Sequence, residues 1–228
     1  MSLKISKTTS NILKIAGWIV VIILVILMGK VYFWEKQYYA NKTKEPRSTA
    51  PAVITEIASA INPSEIKPSK EDVEAHQVAA DEPRYLSIPR LELENAIVNG
   101  TSVNVHVLQV PDNIYEVAWY SGSSRPGTGG YIIISGLDSG ASGKAGAFAN
   151  LDSLESGNEI KLTTGSGEEY VYEVKTVSIV NNSDAEQELI DVQKQIDGKE
   201  TLVLITNLKT DGSAKYNSIA MVQATIKK

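Results

Sequence analysis

VLQVPDNIYEVAWYSGSSRPGTGGYIIISGLDSG, residues 107–140, carries the pattern that decides the fold. Two short apolar runs, VAWY at 117–120 and GYIIISG at 130–136, flank a connector of Ser, Gly and Pro. Neither run is long enough for a helix, and both are rich in the β-branched and aromatic residues that suit a pleated surface. The same texture recurs on either side: YLSIP (85–89), EIKLTT (159–164), YVYEVKTVSIV (170–180), TLVLIT (201–206) and SIAMVQATI (218–226). Clusters of Gly, Pro, Asn and Asp separate them, and YVYEVKTVSIV alternates with period two. Short strands punctuated by turn residues predict an antiparallel sandwich or closed barrel.

Two segments depart from this pattern. In SDAEQELIDVQKQI (183–196), Ser183 or Asp184 is a candidate N-cap, and Leu189, Val192 and Ile196 share a helical face. GAFANLDSL (146–154) is a second candidate short helix, with Phe148, Leu151 and Leu154 turned inward. The fold class is therefore mainly β with one or two short helices, over residues 83–228.

Upstream the chain has a different character. Residues 1–14 are short and basic, with Lys4, Lys7 and Lys14. IAGWIVVIILVILMGKVYFW follows at 15–34, with Lys30 its only charge. At about 1.5 Å per residue, a helix of this length spans the hydrocarbon core of a bilayer. Trp18, Tyr32, Phe33 and Trp34 sit near its ends, as interfacial aromatics do. A cleaved signal peptide is the other reading, but the apolar run is long and no small-residue cleavage site directly follows it. Residues 35–82 read as a flexible linker: Pro46, Pro51, Pro63 and Pro68 punctuate a run of Ser, Thr, Lys and Glu that offers little apolar area to bury. Lysines precede the span, and Lys36, Lys42, Lys44 and Arg47 follow it, so the positive-inside count leaves the orientation open.

Charge and composition exclude several functions. Residues 1–80 hold ten Lys/Arg against seven Asp/Glu, and residues 81–228 hold twelve against twenty, so the net charge of −5 divides as +3 and −8. An acidic domain repels phosphate backbones, which argues against nucleic-acid binding. The chain has no cysteine, which removes disulfides, thiolate metal sites and cysteine nucleophiles together. Its two histidines, His76 and His106, stand thirty residues apart and give no zinc-site spacing. No metal and no cofactor is expected.

The order of the segments resembles the sortase family. YLSIPRLELENAIV (85–98) resembles the family's opening strand with its Ile-Pro pair, and residues 107–140 its V-x-W-Y strand, P-G-x-x-G turn, apolar strand and Gly-His pair. FANLDSLESGNEIKL (148–162) resembles the F-x-x-L-x-x-L-x-x-G-D-x-I segment, and TLVLITN (201–207) the T-L-x-L-x-T-C strand end. The Ser-Gly segment after Gly136 is most similar to the class found in actinobacteria and related groups. The resemblance covers residues 83–228 and implies a closed eight-stranded β-barrel behind one membrane helix. It also implies residues 1–14 in the cytoplasm and the barrel outside the cytoplasmic membrane.

The resemblance also implies a chemistry this chain cannot perform in the usual way. Sortases use a cysteine thiolate to attack a peptide carbonyl, a histidine to move protons and an arginine to steady the oxyanion or the peptide. The family histidine falls on Leu137 and the family cysteine on Asn207. The arginine falls on Lys215 in one alignment and nearer Asn217 or Ile219 in others; no arginine follows Arg125. No realignment supplies a thiol.

Each position also has a plain structural reading. Leu137 fills space an imidazole would take, and Asn207 bonds at a strand end. Thr206, Ser135, Ser139 and Ser142 are hydroxyls near the inferred site but lack a placed base; Asp138, in a Ser/Gly loop, reads as turn chemistry. Glu186, Glu188 and Asp191 read as a solvated helix face, and Asp184 as a complement to the helix dipole. The expected function is that of a catalytically silent sortase relative. It binds an exported peptide or partners an active sortase; the alternatives are an enzyme with another nucleophile and an envelope scaffold.

Overall fold

The computed structural model describes residues 56–58, 63–101, 107–185, 187–189, 199–208 and 217–227. The expected cytoplasmic tail (1–14) and membrane span (15–34) lie outside these residues, as do His106, Glu186, Asp191, Val192, Ile196 and Lys215.

Eight strands close into a barrel: β2 (Pro83–Ile88), β3 (Leu93–Thr101), β5 (Val117–Tyr120), β6 (Tyr131–Gly136), β7 (Glu159–Thr164), β8 (Glu169–Asn181), β9 (Thr201–Leu208) and β10 (Ser218–Ile226). Around the barrel the order is β10-β8-β7-β2-β3-β5-β6-β9, and β9 pairs with β10 to complete the ring. Two neighbouring pairs, β3 with β5 and β6 with β9, run parallel; the remainder are antiparallel. The expected β-barrel is thus confirmed, with an admixture of parallel pairing. Closure leaves no sheet edge along the ring, the usual remedy for unpaired backbone groups.

The barrel is filled by alternate residues of each strand. Leu86, Ile88, Ile132, Ile134, Leu162, Tyr172, Leu202, Leu204 and Val222 form one interior cluster with Trp119 and Phe148. Residues 146–154 lie against it as expected, with Phe148, Leu151 and Leu154 buried, although the regular part is only a 3-10 turn at Leu151–Ser153. A second cluster covers the outer face of β6, β9 and β10: Ile133, Val203, Ile205, Ile219 and Met221 pack with Ala185 and Leu189. Ala185 and residues 187–189 are helical, and Glu188 N–H bonds to Asp184 O at 3.0 Å, so the expected helix after Ser183 begins where the sequence places it.

Two expectations change. The opening segment, read as one strand through Val98, is a β2–β3 hairpin. Pro89 starts a 3-10 turn, Pro89–Leu91, and Glu92 takes a left-handed conformation with φ 55°. Proline has no N–H to continue the ladder, so the strand ends there. The linker also needs correction: it was expected to run to residue 82, but from residue 63 the chain is built onto the barrel. Helix α1 (Lys70–Ala75) has a reciprocal capping box between Ser69 and Asp72. Beyond it His76 Nε2 bonds to Val98 O at 3.0 Å, Arg84 Nε donates to His76 O at 2.8 Å, and Tyr85 OH donates to Val73 O. No residue of α1 is buried. Polar side chains hold this segment through its backbone, which composition does not reveal. Further upstream β1 (Glu56–Ala58) pairs in parallel with β4 (Val107–Gln109).

Candidate functional site

β6 and β9 place the site. They are parallel neighbours, and an offset of 70 residues holds from Tyr131–Thr201 to Ser135–Ile205. The same offset separates Leu137, one residue beyond β6, from Asn207 near the end of β9. The paired ladder itself ends at Ser135–Ile205, two residues short of both positions. Strand alternation puts Asn207 on the outer face shared with Ile133, Val203 and Ile205, and Leu137 follows directly on the last residue of β6. Both residues are half-buried. The third strand of the face is β10, where Ile219 lies directly opposite Asn207 and is buried. Of the positions considered for the arginine, Ile219 faces this surface, and exposed Asn217 lies just before β10, its N–H donating to Leu208 O at 3.1 Å.

The segment after Leu137 is a tight, internally bonded loop. Leu137 O accepts from Phe148 N–H at 3.0 Å, Gly146 N–H donates to Asp138 O at 2.8 Å, and Gly140 N–H donates to Lys144 O at 2.8 Å. Ser139 and Ala145 form an antiparallel bridge. Gly136 is needed where it stands, because a Cβ there would fall 2.6 Å from the Phe148 ring.

The candidate hydroxyls divide by position. Thr206 alternates to the barrel interior opposite Ala220; it is 1% exposed, and its Oγ1 has no hydrogen-bond partner. Ser135 is on the outer face but buried, with Oγ 3.4 Å from Ala118 O. Ser142 is engaged by Glu65: its N–H donates to Glu65 Oε1 at 2.8 Å and its hydroxyl to Oε2. The Ser142 hydroxyl, then its N–H, hold the Glu65 carboxyl below the usual carboxylate range, with Lys144 adding a smaller pull.

Two acidic residues that sequence reasoning passed over prove to be organising groups. Glu65 falls within the segment whose composition predicts a linker. Glu200, buried ahead of β9, accepts from Gly127 N–H at 3.1 Å, Gly129 N–H at 2.8 Å and Tyr172 OH at 2.5 Å. It ties the Pro-Gly turn before β6 to the barrel wall, and burial followed by its hydrogen bond raises the Tyr172 phenol well above its usual range. A signal existed in the Gly-Thr-Gly-Gly turn at 127–130, whose bare glycine N–H groups invite a carboxylate.

With this geometry established, the comparisons are informative. Several solved structures share the fold. Sortase A from Corynebacterium diphtheriae superposes with a TM-score of 0.54 at 20% identity, covering 84% of this chain and 82% of that one. Pilus Island 1 sortase C2 of Group B Streptococcus gives 0.53 at 16% identity, covering 85% and 96%. SrtA sortase from Actinomyces oris gives 0.50 at 20% identity, covering 66% and 83%. Comparison with curated proteins returns no match. At these identities the structures speak for the barrel alone. The family model described as Sortase domain, however, matches residues 86–226, from the strand that opens the barrel to the one that closes it. Barrel, strand order and sequence profile agree over most of the chain, which belongs to the sortase family.

Proposed function

We propose that this is a single-pass, membrane-anchored sortase-family protein that has lost cysteine transpeptidase chemistry. Its outer groove at Leu137 and Asn207 serves as a binding surface for an extended exported peptide, either alone or beside an active sortase. The observation that carries this reading is one of composition placed on the fold. The chain has no thiol anywhere, and the positions matching the family's histidine and cysteine are a hydrocarbon just after β6 and an amide near the end of its parallel neighbour β9. Neither side chain moves a proton or attacks a carbonyl near neutral pH. The anchor reading rests on the apolar run at 15–34, with the barrel on the outer side of the membrane.

A hydroxyl-based enzyme fits less well. Thr206 turns inward and Ser142 is committed to Glu65. The test is direct. The full-length chain in detergent is incubated with sorting-signal peptides and an amine acceptor, and products are followed by chromatography. No transpeptidation is expected, since loss of the nucleophile alone costs on the order of 10⁶-fold in a cooperating catalytic unit. Peptide binding is read in parallel by fluorescence anisotropy. Turnover abolished by Thr206→Ala or Ser139→Ala replaces the silent reading with a hydroxyl enzyme.

A further inference from the structure

The segment Ser64-Glu65-Ile66 does more than cross the surface. Ser64 N–H donates to Asp112 O at 2.6 Å, Ile114 N–H donates to Ser64 O at 3.0 Å, and Asn113 Nδ2 donates to Ile66 O at 2.9 Å. On its other side Ile114 O accepts from Ala147 N–H at 2.7 Å. Three segments, 64–66, 112–114 and 137–148, are thus laminated by backbone bonds. From this seat the Glu65 carboxylate reaches into the 139–145 loop and takes the N–H and hydroxyl of Ser142, while Lys144 Nζ lies 3.9 Å from Oε2.

Two glycines are fitted to this arrangement. A Cβ on Gly140 would fall 2.4 Å from Glu65 Oε1, so the loop backbone closes against the carboxylate at that point. A Cβ on Gly146 would fall 2.2 Å from Leu137 O and 3.1 Å from Ile114 O. The first glycine admits the carboxylate, and the second lets the returning loop strand lie against both Leu137 and the 112–114 segment. The bonds run without a break from Glu65 through Ser142 and the loop ladder to the carbonyl of Leu137. Glu65 keeps only 18% of its side chain exposed, unlike a solvated linker acid.

We infer that Glu65 is a positioning residue for the groove: by clasping Ser142 from the upstream segment, it sets the 139–145 loop and, through it, the environment of Leu137 and Asn207. The inference rests on the reading of that surface as the binding groove. It makes the upstream segment part of the site, so that the functional unit begins before residue 64 and not at the first barrel strand.

The experiment uses the full-length protein in detergent and no peptide, so its result is independent of whether the groove binds one. Hydrogen exchange is compared for the unmodified chain, Glu65→Gln and Glu65→Asp. Loss of a charge-assisted clasp is expected to raise exchange at Ala141–Lys144 by about tenfold. Amides of β6 and β9 stay unchanged, and Glu65→Asp retains part of the protection. A second readout uses the Leu137→His, Asn207→Cys background, in which the alkylation midpoint of the introduced thiol reports on the groove. Glu65→Gln is expected to move that midpoint toward the value of Asn207→Cys alone. Unchanged loop exchange, a uniform rise across the whole barrel, or an unmoved thiol midpoint each overturns the proposal.

Discussion

Placing a thiol at position 207, with and without an imidazole at 137, tests the geometry of the site. The chain has no native cysteine, so alkylation by iodoacetamide in Asn207→Cys reports on a single group. That thiol is half-buried at the end of β9, against buried Ile219, and has no base beside it. Its midpoint is expected at or above the free value of about 8.5. Continued by two residues past Ser135–Ile205, the register of β6 and β9 brings the imidazole of Leu137→His beside that thiol, one strand away. A paired imidazolium stabilises the thiolate and should lower the midpoint by roughly 1–1.5 pH units. At pH 7 the thiolate fraction then rises from about 3% to roughly a quarter to a half, about 8- to 16-fold. The alkylation rate gains less, roughly threefold, because nucleophilicity falls with thiol pKa at a Brønsted slope of about 0.4–0.5. The midpoint of the rate–pH profile is therefore the decisive quantity, and the rate at one pH is not. Identical midpoints in the single and double variants would refute the placement of Leu137 beside Asn207.

Gly136→Ala forces a methyl to within 2.6 Å of the fully buried Phe148 ring. Overpacking of this kind costs about 1–3 kcal/mol, and calorimetry of the variant should show a Tm lowered by roughly 3–10 °C. Glu65 has a folded-state pKa below its ordinary value, so its contribution is present above the unfolded carboxylate range and is lost as pH falls through the folded pKa. Exchange protection at Ser142 should accordingly hold at neutral pH and disappear only on acidification below about 4.5, while Glu65→Gln shows no such step. Protease added to intact cells should release a barrel fragment whose N-terminus maps upstream of Pro63, because residues 63–82 are built onto the barrel. Complete protection of the barrel would reverse the proposed topology.

Much of the barrel was legible because its strands are local objects. EIKLTT and SIAMVQATI coincide with β7 and β10, and TLVLIT lies within β9, since β-branched runs bounded by turn residues leave few alternatives. Pairing partners were not legible. Nothing local in AIVNG or YIIISG says that each finds a parallel neighbour, because that choice is made across the whole ring. The upstream segment failed for a different reason. Its composition promised little apolar burial, and α1 indeed buries nothing. It is held instead by hydrogen bonds from His76, Arg84, Tyr85, Asn113 and Glu65, each a residue that usually means solvent. Leu137 and Asn207 are matched to the family's positions on motif order alone, and the parallel register of β6 and β9 runs to Ser135–Ile205, two residues before them.

The packing also bears on the proposed loss of sortase chemistry. The interior is built by the alternate residues Ile132, Ile134, Leu202 and Leu204, which face away from the groove. Asn207 lies on the opposite face and Leu137 just after β6, at strand ends beyond most of the packing, and both remain half-buried. Replacing an imidazole with an isobutyl group, or a thiol with an amide, therefore leaves no cavity in the core and no buried charge without a partner. A change of the same size at Leu204 would cost several kcal/mol. Stability is thus expected to depend little on which side chain occupies these two half-buried positions. The loop is the informative part. The Glu65 clasp, which holds the loop after Leu137 from a distant segment, is the feature on which the proposed ligand-binding reading and its test turn.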